Sequence, residues 1–521
     1  MLRSPFGHRN DHRLARLLTI ISLVAAFVTL GLISPAARAA SSYYVATNGS
    51  NSNPGTIDQP WATLSHAASQ VTAGDTVYVR GGTYTSAFEI QTSGTADARI
   101  TFQSYPGETA IIDASNLSSS TIAIGITGSY IDVIGFEVKN SPYIGISVWG
   151  GSHIRIRNNV VHGSWDAAIF AGYSARGTVT DIEMDGNTAY NNARKNSSPD
   201  NTGFTGEWPA IIFSMRASNI RITNNHVYEN FGEGLDFVLT DNGLMSGNVV
   251  HDNYSANIYL DNAQNVIVEK NLVYTTNKTN FYRFSHPTPS IQLATEEYSE
   301  ALPTRDVIVR NNILIGGRYN FIYGDYQTGG GVRNVTVANN TMVNATESAL
   351  HMDGNSGHEN VLFVNNIFDQ TDGGDTMLNS WNGTAGYSAF TFHHNLWYGA
   401  SEGKVSGTGD VEADPKFVNR GGTTADDYKL QSDSPAINAG TTVSDVTDDY
   451  FGTTRPVGSA YDIGAHEFGG TPAPTSTTGP TSTPAPTSTT GPTSTPAPTS
   501  TPAPTSTPSA STCKVTYTVN D

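Results

Sequence analysis

The feature that most constrains this chain is a bend that keeps returning. Alternating β-branched and polar residues run into Asn-Asn or Gly-Asn, and apolar residues follow. The unit is explicit in Ile154-Arg155-Ile156-Arg157-Asn158-Asn159, Ile182-Glu183-Met184-Asp185-Gly186-Asn187 and Ile220-Arg221-Ile222-Thr223-Asn224-Asn225. It continues through Asn248, Asn271, Asn312, Asn340, Asn366 and Asn395. Successive second asparagines are 28, 38, 23, 23, 41, 28, 26 and 29 residues apart. A short-stranded repeat of roughly 20–30 residues marks a solenoid. The spaced leucines of a leucine-rich repeat are missing.

The repeat predicts an all-β fold, a right-handed parallel β-helix in which each coil gives two or three short strands that pair with the coils above and below. Asparagine tolerates the left-handed conformation a sharp bend needs, and stacked asparagines can form a ladder of amide hydrogen bonds. This accounts for the 51 glycines and for only 14% charged residues, because half of each strand points into the stack. The net charge of -18 disfavours nucleic acid and anionic membrane as partners. One cysteine excludes a disulfide framework and any multi-thiolate metal site.

The 521 residues divide into four parts. Residues 1–39 read as a signal peptide: a basic front (Arg3, Arg9, Arg13, Arg16), an apolar run from Leu17 to Ile33, and a small-x-small site at Ala37-Arg38-Ala39. A secreted, extracellular protein is expected. Residues 40–470 carry the solenoid, and residues 471–512 are a Pro/Thr/Ser-rich linker that repeats TPAPTSTTGPTS. Residues 513–521, from Cys513 through Val515, Tyr517 and Val519, alternate like a first strand. That scrap resembles the opening of family 2 carbohydrate-binding modules. The resemblance implies a truncated module whose complete form would pair Cys513 with a second cysteine and bind cellulose or chitin.

Two intervals are long enough to hold inserts. The first contains Arg194, Lys195, Glu207 and Trp208; the second contains Lys278, Tyr282, Arg283, His286, Glu296, Glu297 and Glu300. Solenoid inserts leave as loops and commonly build the binding face. Helical spacing of Trp61, Leu64, Ala67, Ala68 and Val71 predicts an N-terminal cap helix. The stretches YVATNGSNSNPGT, PWATLSHAA and GDTVYVRGGTY, with a closing segment from Asp414-Pro415 to Gly464-Ala465, resemble secreted β-helix proteins of the pectin-lyase-like superfamily. The resemblance spans residues 43–468. It implies that architecture but no single chemistry, since the fold hosts lyases, hydrolases, epimerases and tailspikes.

Registering the coils on Ile169, Ile212, Leu235, Ile258, Ile291, Ile322 and Leu350 turns the next residues outward: Phe170, Phe213, Asp236, Tyr259, Gln292, Tyr323 and His351. Two residues on, the column reads Gly172, Met215, Val238, Asp261, Ala294, Asp325 and Asp353. Asp236 and Asp261 then lie one coil and two residues apart, roughly 8 Å on the diagonal. That suits an inverting glycosidase, in which one acid protonates the leaving oxygen and the other activates water. Glu233, Glu207 and Glu296 are further catalytic candidates. Trp165, Trp208, Phe213, Tyr259, Tyr282, Arg283, Tyr323 and His351 are candidates for sugar contact. Asp325 and Asp353 in one column would stand close enough to need a proton or a cation, so a Ca²⁺ site is a candidate there.

A glycoside hydrolase acting on plant cell-wall or related polysaccharide, as a monomer without a cofactor, is the leading expectation. A calcium-dependent pectate-type lyase is the alternative. Gly232-Glu233-Gly234-Leu235-Asp236 resembles the calcium-binding acid cluster of family 9 pectate lyases, with Gly232 where the first acid stands; the resemblance implies Glu233 and Asp236 as calcium ligands. The catalytic lysine it implies is replaced by Tyr259 after Asn257-Ile258, leaving Lys195, Arg216, Lys278 or Arg283 to act as base. A non-catalytic glycan-binding solenoid is the third reading.

Overall fold

The computed structural model describes residues 40–172, 179–197, 208–298 and 302–470. The signal, linker and module expected at 1–39, 471–512 and 513–521, and the candidate Glu207, lie outside the described residues.

The bends form as the repeat requires. The residue before each ladder asparagine takes the left-handed conformation, with φ 54° at Asn158, 66° at Gly186, 56° at Asn224 and 68° at Gly247. The asparagine that follows is buried and bonded along the stack. Asn187 Nδ2 donates to Asn225 Oδ1 (3.0 Å) and to the Ile156 carbonyl (2.9 Å), and its backbone N–H donates to the same Asn225 oxygen (2.9 Å). The same pattern links Asn225 to Asn248, Asn248 to Asn271 and Asn271 to Asn312, and runs on to Asn395. A shorter ladder, Asn192 to Asn230 to Asn253, holds the next corner. Burying so many amides is tolerable because each finds a partner.

Between the bends, each coil lays one strand on each of three parallel sheets, of 13, 13 and 11 strands. One coil contributes Ser152–Arg157, Val160–His162 and Ile169–Gly172 to the first, second and third faces in turn. Ser152–Arg157 pairs in parallel with Ile131–Ile134 below and Val179–Asp185 above. Alternate residues such as Ile154, Ile182 and Ile220 stack inside as a continuous core. The fold is therefore a right-handed parallel β-helix.

The entrance is closed by helix α1 (Leu64–Gln70), which buries Leu64, Ala67 and Ala68. Thr63 Oγ1 caps it by accepting from the His66 N–H at 3.2 Å. Trp61, expected in the helix, instead bridges to Val45 and stacks on Tyr43 at 4.5 Å. At the far end the chain folds back along the outside of the coils. Asn311, Asn339 and Asn365, from the first-face bend, donate to the carbonyls of Asp448, Asp462 and Thr441. A buried Arg455–Glu467 ion pair (2.8 Å) secures this strap. Among the described residues no helix is long and apolar enough to cross a membrane.

Candidate active site

The third face carries the outward column. Asp236 pairs with Phe213 and Tyr259, Asp261 pairs with Val238 and Ala294, and Tyr259 pairs with Gln292. Beyond Gln292 the expected register slips by one. Phe321, not Ile322, pairs with Ile291, so Ile322 faces outward beside Gln292 and His351. A one-residue shift exchanges the two sides of a strand. Tyr323 is consequently a core residue rather than a sugar contact, its hydroxyl bonded to Asp325 and to the Gly331 N–H. Phe321 fills the interior, and Asn320 anchors the preceding bend by donating to the Gly316 carbonyl at 2.8 Å.

The same slip takes the expected calcium pair out of one column, leaving the Asp325 N–H to donate to Asp353 Oδ2 at 3.4 Å. Gly324 takes the column position opposite Asp353, and Asp325 pairs with Thr295 instead. Asp325 Oδ1 accepts from Asn355 at 2.6 Å. Asp353 Oδ1 accepts from the Trp381 N–H (2.8 Å) and the Asn382 N–H (3.2 Å) and contacts His351 Nε2 (3.1 Å). His351 is fully buried beneath Trp381 and serves as a wall rather than a surface contact.

Four acids do come together. Glu233 is the first residue of the strand Glu233–Val238, and its carboxyl lies within hydrogen-bonding reach of Asp236. Gly232 has no room for the acid that family 9 lyases place there, because a Cβ would sit 2.1 Å from the Pro209 carbonyl oxygen. The second insert supplies Glu296, tied to the coil by Asn262, which accepts from the Glu296 N–H at 2.7 Å. Tyr259 donates to Glu296 Oε1 (2.5 Å), Tyr298 donates to Asp261 Oδ2 (2.5 Å), and Ser255 donates to Glu233 Oε1 (3.4 Å). Asp236 Oδ1 and Asp261 Oδ1 are buried with no partner among the described residues.

This crowding sets the proton inventory. Burial, with Asp261 and Glu296 close by, pushes the Glu233 carboxyl up to about 8. Burial, with Glu233 and Asp261 as neighbours, holds Asp236 well above the usual carboxylate range. Asp261 rises to about 8 through burial and Glu296, against the lowering effect of Tyr298. Protons are thus held by the cluster at neutral pH.

Beside Glu233 the face opens into a groove of about 250 Å³. Arg283, Arg318, Trp381, Tyr326, Gln292 and Ser255 line it, and among the described residues no carboxylate does. Arg283 stacks over Trp208 at 3.9 Å, and Arg318 lies 5.1 Å from the Trp381 ring. Trp208 and Trp381 are 45% and 56% exposed. A larger hollow, about 440 Å³, lies on the first face among Arg155, Asp181, Glu183 and Arg221; it contains none of the four clustered acids.

The other expected contacts fall outside the cluster. Phe213 packs on Phe170 at 4.7 Å, and Trp165 is exposed at the bend before Ile169–Gly172. Tyr282 folds its own insert by donating to the Thr276 carbonyl. Among the bases considered for a lyase, Lys195 pairs with Asp166 (2.9 Å) and Lys278 pairs with Glu229. The charge of Arg283 interacts with Glu233, and burial lowers its pKa. Tyr298, Tyr326, Arg318 and Trp381 were missed. Tyr298 lies two residues after Glu296 in the insert already suspected; Trp381 sits in a Ser-Trp-Asn-Gly turn with no repeat signal.

These features define a right-handed parallel β-helix of the pectin-lyase type with a carboxyl cluster on one face. Residues 43–280 match the family model described as Pel9A-like, right handed beta helix region. The chain is 25% identical over 451 residues to the uncharacterized protein YwoF of Bacillus subtilis, covering 75% of this chain and 91% of that one. It is 27% identical over 251 residues to pectate lyase PEL9 of Emericella nidulans, covering 45% and 57%. Among solved structures, XylC in complex with xylose shares the fold at TM-score 0.54 and 13% identity, over 82% of this chain and 98% of that one.

Proposed function

We propose that the protein is a secreted polysaccharide-degrading enzyme whose reaction centre is the Glu233–Asp236–Asp261–Glu296 cluster. The observation that carries this is the pair Asp236 and Asp261: both buried, both raised in pKa, each with one oxygen that has no partner among the described residues, and set in a register that spaces them roughly 8 Å apart. That spacing leaves room for water between a base and a sugar, as inverting hydrolysis needs. Asp236, sharing a proton with Glu233, protonates the leaving oxygen. Asp261, with Oδ2 held by Tyr298, uses Oδ1 to take the proton of the attacking water. Among the described residues the groove offers aromatic faces and two arginines without a carboxylate, which suits an acidic glycan. Residues 1–39 support export, and the resemblance of residues 513–521 to the opening of a family 2 carbohydrate-binding module supports cellulose- or chitin-directed targeting.

A pectate-type lyase is the second reading. It is favoured by Arg283, a cation of lowered pKa whose charge interacts with Glu233, and by the Pel9A-like match. Ca²⁺ takes six to eight oxygens at about 2.3–2.6 Å. Among the described residues no group of three or more His, Cys, Asp or Glu side chains is arranged to hold a metal ion, so no step is derived through calcium.

Incubation with polygalacturonate, alginate, xylan and arabinan, with reducing ends and the ultraviolet absorbance of unsaturated uronates both followed, separates the readings. Hydrolysis gives reducing ends alone. Unsaturated products would transfer the assignment to the lyase, and binding without either signal would make the solenoid non-catalytic.

A further inference from the structure

A second cluster lies on the second face, which shares no strand with the acid cluster. The strands His226–Tyr228 and Val249–His251 pair with His226 opposite Val249 and Tyr228 opposite His251. The two histidines are therefore diagonal neighbours on adjacent coils. Tyr228 packs against both rings, at 4.4 Å from His226 and 5.1 Å from His251. Their Nε2 atoms approach to 3.2 Å.

Asp252 settles which nitrogen of His251 carries the proton. His251 Nδ1 lies 2.8 Å from Asp252 Oδ2, and the Asp252 side chain is fully buried. Thr276 holds that carboxylate through its N–H (2.8 Å) and its hydroxyl (2.9 Å). A carboxylate accepts, so His251 donates from Nδ1 and turns the lone pair of Nε2 toward His226. Histidine ligands in metal sites are commonly oriented in this way by a carboxylate behind the ring.

We propose that His226 Nε2 and His251 Nε2 form a two-nitrogen site for a borderline transition-metal ion of the Zn²⁺, Cu²⁺ or Ni²⁺ class, with Asp252 as the positioning residue. Two nitrogens each about 2.0–2.1 Å from a tetrahedral ion stand about 3.3 Å apart, close to the spacing found here. The ion takes the place of the proton between the rings. His226 moves its proton from Nε2 to Nδ1, so both imidazoles stay neutral. Among the described residues no third His, Cys, Asp or Glu joins them, so water fills the other positions. Bound there, the ion links two coils and stabilises the middle of the solenoid.

The test is a titration of the tag-free, metal-stripped full chain with Cu²⁺, followed by calorimetry and electron paramagnetic resonance. One ion per chain and a two-nitrogen hyperfine pattern are expected, with His226→Gln and His251→Gln each weakening that site by about tenfold or more. Asp252→Asn, which keeps both ligands, weakens it about 10–100-fold. The resonance pattern of the unsubstituted protein tests the site even if a variant fails to fold. A spectrum without two nitrogen ligands, or unchanged affinity in a folded His226→Gln variant, overturns the proposal.

Discussion

Tyr298 donates a 2.5 Å hydrogen bond to one oxygen of Asp261, while the other oxygen of the same carboxyl is buried without a partner among the described residues. The tyrosine comes from the second insert and the aspartate from the coil, so docking of the insert fixes both the orientation and the proton affinity of the acid. It also favours the ionised form of Asp261, which the proposed base role requires.

Tyr298→Phe therefore raises the Asp261 pKa further. The acidic limb of the kcat/KM profile moves to higher pH, and kcat/KM falls about 10–100-fold, as expected for losing a hydrogen bond to a charged group. Steady-state rates across pH check this. An unshifted limb with full activity would mean that Asp261 is not the base.

The cluster also makes stability depend on pH. Glu233 rises in the folded state from an ordinary 4.5 to about 8, and Asp261 from 3.8 to about 8. Between those values the unfolded chain has released protons that the folded chain keeps, so their contribution to stability is greatest in acid and is lost as pH rises toward about 8. Glu233→Gln removes one of these burdens. It should unfold at higher denaturant than the wild type near pH 8, by on the order of a few kcal/mol, with the gap closing near pH 4. Denaturation curves at both pH values measure it, and an equal gap at the two would refute the assignment.

The asparagine ladder bears stability rather than chemistry. Asn248 donates to Asn271 and to the Ile222 carbonyl and accepts from Asn225. Asn248→Ala leaves these groups buried and unpaired, so it should cost about 2–4 kcal/mol. A thermal melt reads the loss; a change under about 0.5 kcal/mol would show that the ladder is dispensable.

Trp381 is an exposed ring held over His351 at 4.2 Å by a turn whose N–H groups are bound by Asp353. As a sugar platform, it should act on binding. Trp381→Ala is expected to raise KM about tenfold with kcat nearly unchanged, the size of one lost ring contact. A fall in kcat at constant KM would contradict that role.

The architecture was legible because its cause is local and repeated. Each coil needs a left-handed residue and a buried amide at the same corner, and Asn158-Asn159 and Asn224-Asn225 state that need in sequence. The diagonal of Asp236 and Asp261 followed from that count. Two coils later the count failed, because both Phe321 and Ile322 satisfy an apolar template and only packing chooses between them. That choice turned Tyr323 inward and took Asp325 out of the column of Asp353. Contacts made by inserts and by irregular turns carry no period at all, so Tyr298 on Asp261 and Trp381 over His351 had no sequence pattern to announce them.

Reducing-end release from an acidic polysaccharide by the wild type, Asp236→Asn, Asp261→Asn and Asp325→Asn tests the central claim most directly. The first two substitutions should each lower the rate about 10²–10⁴-fold while the third leaves it close to wild type, with no unsaturated product in any case. Wild-type rates in both Asp236→Asn and Asp261→Asn, with the chain folded, would contradict it.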